Sequence, residues 1–108
     1  MKSLGILPPV LADIADAAAW YDEHGYEGLG DRFIGTFYAA LPHLQEQSEI
    51  HRIVYREFRR ILHPPFPYFV YFASHPDSII VTLAIHTSRH PSLAEARLRQ
   101  RAPGGAID

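Results

Sequence analysis

Apolar residues recur every three or four positions up to Gln47, and after Ser48 they alternate every second position. That change of period constrains the fold more than any other feature. A 3.6-residue period lays an apolar stripe along a helix, and a period of two lays one along the face of a strand. Leu11, Ile14, Ala18 and Tyr21 form the first stripe, with Asp13, Asp16, Asp22 and Glu23 on other faces. The spacing predicts a helix over residues 9–24. Pro8-Pro9 can open it, since proline is tolerated in a first helical turn, and Gly25 fits its stop. Leu29, Phe33, Phe37, Leu41 and Leu44 form the second stripe and predict a helix over Leu29–Gln47. Gly25, Gly28 and Gly30 surround the short connection, which reads as a tight bend between antiparallel helices. It is no phosphate loop, because the Gly-Lys-Ser/Thr ending is missing and no strand leads into it. Pro42 removes a backbone donor and crowds the carbonyl of Tyr38, so a kink or tightened turn is expected at 38–42.

The second half reads as strands. Residues 56–62 predict one with Arg59 and Ile61 on one face and Phe58, Arg60 and Leu62 on the other. Pro64-Pro65 interrupts the pattern. Residues 67–73 follow, with Phe69 and Tyr71 opposed to Tyr68, Val70 and Phe72. So apolar a strand is usually central in its sheet. Ser74-His75-Pro76-Asp77-Ser78 has turn chemistry, and residues 78–86 close a hairpin. Residues 2–7 predict a short first strand that Gly5 weakens. Residues 91–101 predict a short C-terminal helix whose large apolar residues are Leu93 and Leu98, and residues 102–108 read as a flexible tail. The order is β-α-α-β-β-β plus that helix. A helical hairpin and a half-apolar sheet bury each other most simply as a two-layer α+β sandwich, with the hairpin packed on a mainly antiparallel sheet. At 108 residues and 47% hydrophobic content, the chain fits one domain over residues 1–101.

Composition excludes several functions. The chain has no cysteine, so it can form neither a disulfide framework nor a thiolate metal site. The front segment lacks the apolar run of a signal peptide, and no stretch approaches the ~18 apolar residues of a membrane span. A cytoplasmic protein with no membrane contact is expected. Its net charge of −2 is segregated, with −6 over residues 1–50 and +4 over residues 51–108. Nine of the ten basic residues are arginine, which favours forked binding of carboxylate or phosphate. Two surfaces for two partners would account for this.

Polar residues that could carry chemistry cluster at the end of the last strand, as His86, Thr87, Ser88, Arg89 and His90. Arg59, Arg60, Tyr68 or Tyr71 could lie beside them in a hairpin sheet. A histidine, an arginine and a tyrosine around a phosphodiester would suit RNA cleavage: one takes the 2′-hydroxyl proton, one holds the phosphorane charge and one protonates the leaving oxygen. Strand ends are also polar simply because they meet water. His86 and His90 stand four apart, but that spacing chelates a metal on a helix rather than across a strand end, so no metal or cofactor is expected. Arg97-x-Arg99-x-Arg101 reads as a solvated face.

Four pieces carry a family resemblance: A-x-W-Y ending at Tyr21, G-L-G-x-R-F from Gly28 to Phe33, R-R-x-L followed by F-P-Y-x-V-Y-F, and H-T-x-R-x-P from His86. In that order and spacing, over residues 12–91, they resemble the RelE/ParE superfamily. These are the toxin halves of bacterial type II toxin–antitoxin pairs, often labelled plasmid-stabilisation proteins. The resemblance implies the same fold. The mRNA-cleaving members use lysines and arginines on the middle strands. Here no lysine stands there, and Tyr68 takes the place of an arginine. The pattern looks closer to ParE-like members, which bind DNA gyrase and trap it on DNA, and for which no catalytic residue is assigned. The resemblance also implies a cognate antitoxin whose commonly acidic C-terminal segment wraps the toxin. Arg56, Arg59, Arg60 and Arg89 are its candidate anchors, with Trp20, Phe66 or Leu98 as apolar contacts if exposed. The alternatives are a ribosome-dependent mRNA interferase using Arg60, Tyr68, His86 and Arg89, and an inactive member that retains only antitoxin binding. Pro42 and Pro64-Pro65 favour the last.

Overall fold

A computed structural model of the chain describes residues 1–101. The tail expected at 102–108 lies outside them. The first helix, α1 (Pro8–His24), begins one residue before the expected start, with proline in its first turn. It buries Val10, Ile14, Ala17 and Ala18, whereas Leu11 is 50% exposed. The buried stripe is therefore rotated from the expected one, and Asp13 falls between Val10 and Ala17 on the sheet-facing side. The second helix, α2 (Leu29–Gln47), buries Phe33, Phe37, Leu41 and Leu44 as their spacing predicts. It remains α-helical through Pro42, without the tightened turn expected there. Pro42 lies on the exposed face, where water can satisfy the carbonyl that loses its partner. At the bend, Gly28 takes φ 93°, a left-handed conformation that suits glycine. Gly30 lets the helices touch: its N–H donates to Asp22 Oδ1 at 2.8 Å, and a Cβ there would stand 2.4 Å from the Ala18 carbonyl oxygen.

Five strands follow the order β1-β5-β4-β3-β2. They are β1 (Ser3–Ile6), β2 (Ile53–Tyr55), β3 (Phe58–Leu62), β4 (Tyr68–Ser74) and β5 (Ser78–His86). β1 runs parallel to β5, and the other pairs are antiparallel. The expected strand over 56–62 starts later than its pattern suggests. Arg56 has φ 52°, outside the extended region, and turns the chain between β2 and β3. That turn adds a strand the alternation alone did not indicate, because β2 is only three residues long.

Strand alternation divides the core. Val70, Phe72, Ile79, Val81 and Ala84 face the helical hairpin. Phe58, Tyr71, Ala73, Leu83 and Ile85 face the other way. The last helix, α3 (Pro91–Arg101), covers part of that second face with Ala94 and Leu98. Two inward residues suffice because the helix sits over only part of the sheet. A bulge lies between β4 and β5, where Tyr71 pairs with Leu83 and Phe72 with Val81, leaving Thr82 unopposed. No helix of the described residues is long and apolar enough to cross a membrane.

Candidate functional site

Tyr68 opens β4 and His86 closes β5. They are direct cross-strand partners, so their side chains share the hairpin face of the sheet. Their rings meet edge-on with centroids 5.2 Å apart. The ladder continues one step past the strands through Thr87 N–H to the Pro67 carbonyl at 2.8 Å, which fixes the turn that carries Ser88 and Arg89. Trp20 approaches from the last turns of α1. It is 53% exposed, and one face of its indole is stacked on His24 at 4.3 Å. Trp20, Tyr68, His86, Ser88 and Arg89 together line a cleft of about 330 Å³.

Protonation limits what this cleft can do. Burial pushes the Tyr68 phenol above its ordinary value of 10.0, and nearby Tyr21 adds to the shift while Arg89 opposes it. The phenol therefore keeps its proton at neutral pH. Ser88 N–H donates to His86 Nδ1 at 3.0 Å. A neutral imidazole that accepts at Nδ1 carries its proton on Nε2, so this ring can donate from Nε2 but cannot take a proton there. Phenol, imidazole Nε2–H and guanidinium thus present three donors, with the exposed Asp16 carboxylate set apart in the adjoining hollow. Such a set grips an acceptor-rich group, a carboxylate or a phosphate. In the adjoining hollow, Asp13 is already engaged: both its oxygens accept from Arg101, and Oδ2 also accepts from Ala84 N–H at 3.1 Å. Asp16 and Arg97 line the same hollow.

The other candidates are distributed differently. Arg60 lies on the opposite face of the sheet, with its guanidinium 3.9 Å from the Phe69 ring centroid and Nη1 3.1 Å from the Tyr71 hydroxyl. The set Arg60, Tyr68, His86 and Arg89 is therefore not assembled, because β3 alternation turns Arg60 away from the face that Tyr68 and His86 share. Arg59 is occupied internally: Nη1 donates to the carbonyls of His51 and Glu49, which fastens the 3₁₀ turn Ser48–Ile50 to β3. Arg56 is exposed in the β2–β3 turn, 5.5 Å from the Tyr55 ring centroid. Phe66 and Leu98 belong to the core and cannot serve as surface contacts, whereas Trp20 can.

Three polar arrangements were not visible in the sequence pattern. The Asp13–Arg101 pair is one. The second is His63, buried among Phe33, Phe37 and Phe66, with Nε2 2.6 Å from Thr36 Oγ1. Because that hydroxyl donates to the Phe33 carbonyl, it accepts from His63 Nε2–H, and Nδ1 is buried with no partner among the described residues. Burial lowers the pKa of His63 below 6.5. The third joins Lys2 to Glu49, Ser48 and Ser74, and the ammonium group lowers the Glu49 carboxyl to about 2. The sequence carries no signal for the first, because Asp13 lies outside the stripe of Leu11, Ile14, Ala18 and Tyr21, and only burial of Val10 and Ala17 turns it toward the sheet. Among the described residues, no group of three or more histidine or acidic side chains could hold a metal ion. Comparison with known proteins gives no matching family model and no matching curated protein.

Proposed function

We propose that this chain is a ParE-like toxin of a bacterial type II toxin–antitoxin pair, acting in the cytoplasm by binding DNA gyrase and held inactive by a cognate antitoxin. Four ordered sequence pieces and the α+β layering support the superfamily. The observation that carries a binding mode of action over a catalytic one is the donor-only cleft. Tyr68, His86 and Arg89 can hold an acceptor group there, none of them is free to take a proton, and Arg60 stands on the far side of the sheet. Exposed Trp20 beside Arg89 adds the residue types that anchor protein interfaces.

The second reading is an mRNA interferase. It is favoured by the convergence of Tyr68, His86 and Arg89 in one cleft. Pulse-labelling of DNA and protein synthesis after induction in a bacterium separates the two. DNA synthesis is expected to fall first, with RNA uncut. A first fall in protein synthesis would replace the gyrase reading with the nuclease. Unaffected synthesis of both would leave a chain that binds its antitoxin and harms nothing.

A further inference from the structure

His43 and His51 come from different elements and meet Nε2 to Nε2 at 2.9 Å. His43 stands near the end of α2, and His51 follows the 3₁₀ turn Ser48–Ile50. Neither ring belongs to the cleft at Tyr68 and His86. We propose that the two Nε2 atoms form a chelating site for a divalent transition-metal ion of square-planar or octahedral preference, copper(II) above all.

Both ligands are set in place by their surroundings. Leu41 and Leu44, flanking His43, are buried and anchor that turn of α2 in the core. The His51 N–H donates to the Ser48 carbonyl at 3.3 Å, and the His51 carbonyl accepts from Arg59 Nη1. Its ring stands edge-on to buried Phe72, with centroids 6.0 Å apart. Donors oriented before the ion arrives lose less entropy on binding it. Solvent reaches the pair, since His43 is exposed and His51 half-buried.

Distance selects the metal. With metal–nitrogen bonds of about 2.0–2.1 Å, two donor nitrogens stand about 2.8–3.0 Å apart at a 90° angle and about 3.3–3.4 Å apart at a tetrahedral angle. The separation of 2.9 Å matches the right angle. Copper(II) and nickel(II) favour that angle, whereas zinc favours the tetrahedral one. Water would fill the remaining positions. Protonation allows this chemistry. At hydrogen-bond distance, one ring donates its Nε2–H to the other, and moving that proton to the Nδ1 of its own ring frees both Nε2 lone pairs with no change of charge. Burial, together with His43 and Arg59, lowers the His51 pKa below its ordinary 6.5, so its lone pair is available at neutral pH. The Arg59 guanidinium opposes a cation here, and the exposed Glu46, one turn on from His43, offsets it. A bound ion would tie the end of α2 to the chain entering β2.

The test titrates the purified full chain with copper(II), nickel(II) and zinc(II) by calorimetry near neutral pH, in a buffer that does not coordinate metals. Copper should bind one-to-one with a dissociation constant on the order of 10 µM, and both nickel and zinc should bind more weakly than copper. The paramagnetic resonance spectrum of the copper-loaded chain should show two equatorial imidazole nitrogens. His43→Gln and His51→Gln should each lower copper affinity at least ~10-fold. His75→Gln, exposed in the β4–β5 turn, removes the same kind of ligand elsewhere and should leave it unchanged. Absence of copper binding up to about 1 mM would overturn the proposal. So would zinc binding as tightly as copper, fewer than two coordinated nitrogens, or an affinity that is indifferent to His43 and His51 or falls equally in His75→Gln. The nitrogen count is read on the unaltered chain, so it decides even where a variant fails to fold.

Discussion

Asp13 and Arg101 lie 88 positions apart and meet through two hydrogen bonds, Arg101 Nη1 to Asp13 Oδ2 at 2.6 Å and Nη2 to Oδ1 at 2.9 Å. The pair does more than join α1 to α3. β1 accompanies β5 only as far as Val81, so among the described residues no strand pairs with the outer edge of β5 beyond that point. Asp13 accepts the Ala84 N–H of that edge, and Arg101 donates to the Thr82 carbonyl at 3.2 Å. Two side chains take the place of a missing strand and bind the first helix to the last across the gap.

Both side chains are well buried, at 16% exposure for Arg101 and 12% for Asp13. Breaking a buried pair by removing one partner costs about 3 kcal/mol, because the other charge is left uncompensated. Arg101→Ala and Asp13→Ala should each cost that order in urea unfolding. The double variant should cost clearly less than the two losses added together, since the second removal no longer strands a charge. Strict additivity would mean that the two residues act separately.

The helical hairpin makes a sharper steric prediction. A Cβ on Gly30 would lie 2.4 Å from the Ala18 carbonyl oxygen and 2.6 Å from Asp22 Oδ2. Neither neighbour can move without separating the helices or breaking the Asp22 cap, so Gly30→Ala should destabilise by about 1–3 kcal/mol. Gly35 lies within the same helix, and a Cβ there meets nothing within 4 Å. Gly35→Ala should therefore stabilise by about 0.5–1 kcal/mol through helix propensity. Opposite shifts in melting temperature are the expected result. Two changes of the same sign would remove close packing as the explanation.

These features differ in how far the sequence reveals them. The α2 stripe and the alternation of β4 are legible because each buried residue obeys its own element's period. Phe33, Phe37, Leu41 and Leu44 need no knowledge of what covers them. The α1 stripe is less legible, and its spacing points to Leu11, because alanines at 12, 15, 17, 18 and 19 make several faces of that helix almost equally apolar. The turn at Arg56 is not legible, because a non-glycine residue at φ 52° leaves no mark on an apolar–polar pattern. For the cleft, the polar end of β5 was visible, and the pairing of Tyr68 with His86 followed once the hairpin register was set. The position of Arg60 on the other face was implied by alternation, but it could be related to Tyr68 only through the register of β3 on β4.

Acid should weaken the fold through His63. Burial lowers its folded-state pKa below the ordinary 6.5 that the unfolded chain retains. Between those two values the unfolded chain binds the extra proton and the folded one does not, so stability rises with pH in that window. The stabilisation is complete above 6.5 and is lost as pH falls toward the folded pKa. His51, lowered by burial and by His43 and Arg59, acts in the same direction. Urea unfolding between pH 8 and pH 5 should show full stability at the upper end and a decline below about 6.5. His63→Gln should be less stable at pH 8 but show a shallower decline. An unchanged slope in that variant would assign the acid sensitivity to other groups.

His86 gives the cleft its most discriminating variant. With Nδ1 accepting from Ser88 N–H, the ring acts as a donor through Nε2. Glutamine reproduces an N–H donor at nearly the same reach but cannot transfer a proton at neutral pH. If the cleft binds, His86→Gln should retain growth arrest at close to the native induction level. His86→Ala, which removes one hydrogen bond worth about 1 kcal/mol, should raise the required level about fivefold. Arg89→Ala, which removes a charged donor, should raise it further. If the cleft cleaves RNA, glutamine and alanine at position 86 should be equally inactive, because neither can act as acid or base. Induction titrations of the three variants, with expression matched by immunoblot, decide the matter. Loss of arrest in His86→Gln equal to that in His86→Ala would overturn the donor-only account of the cleft.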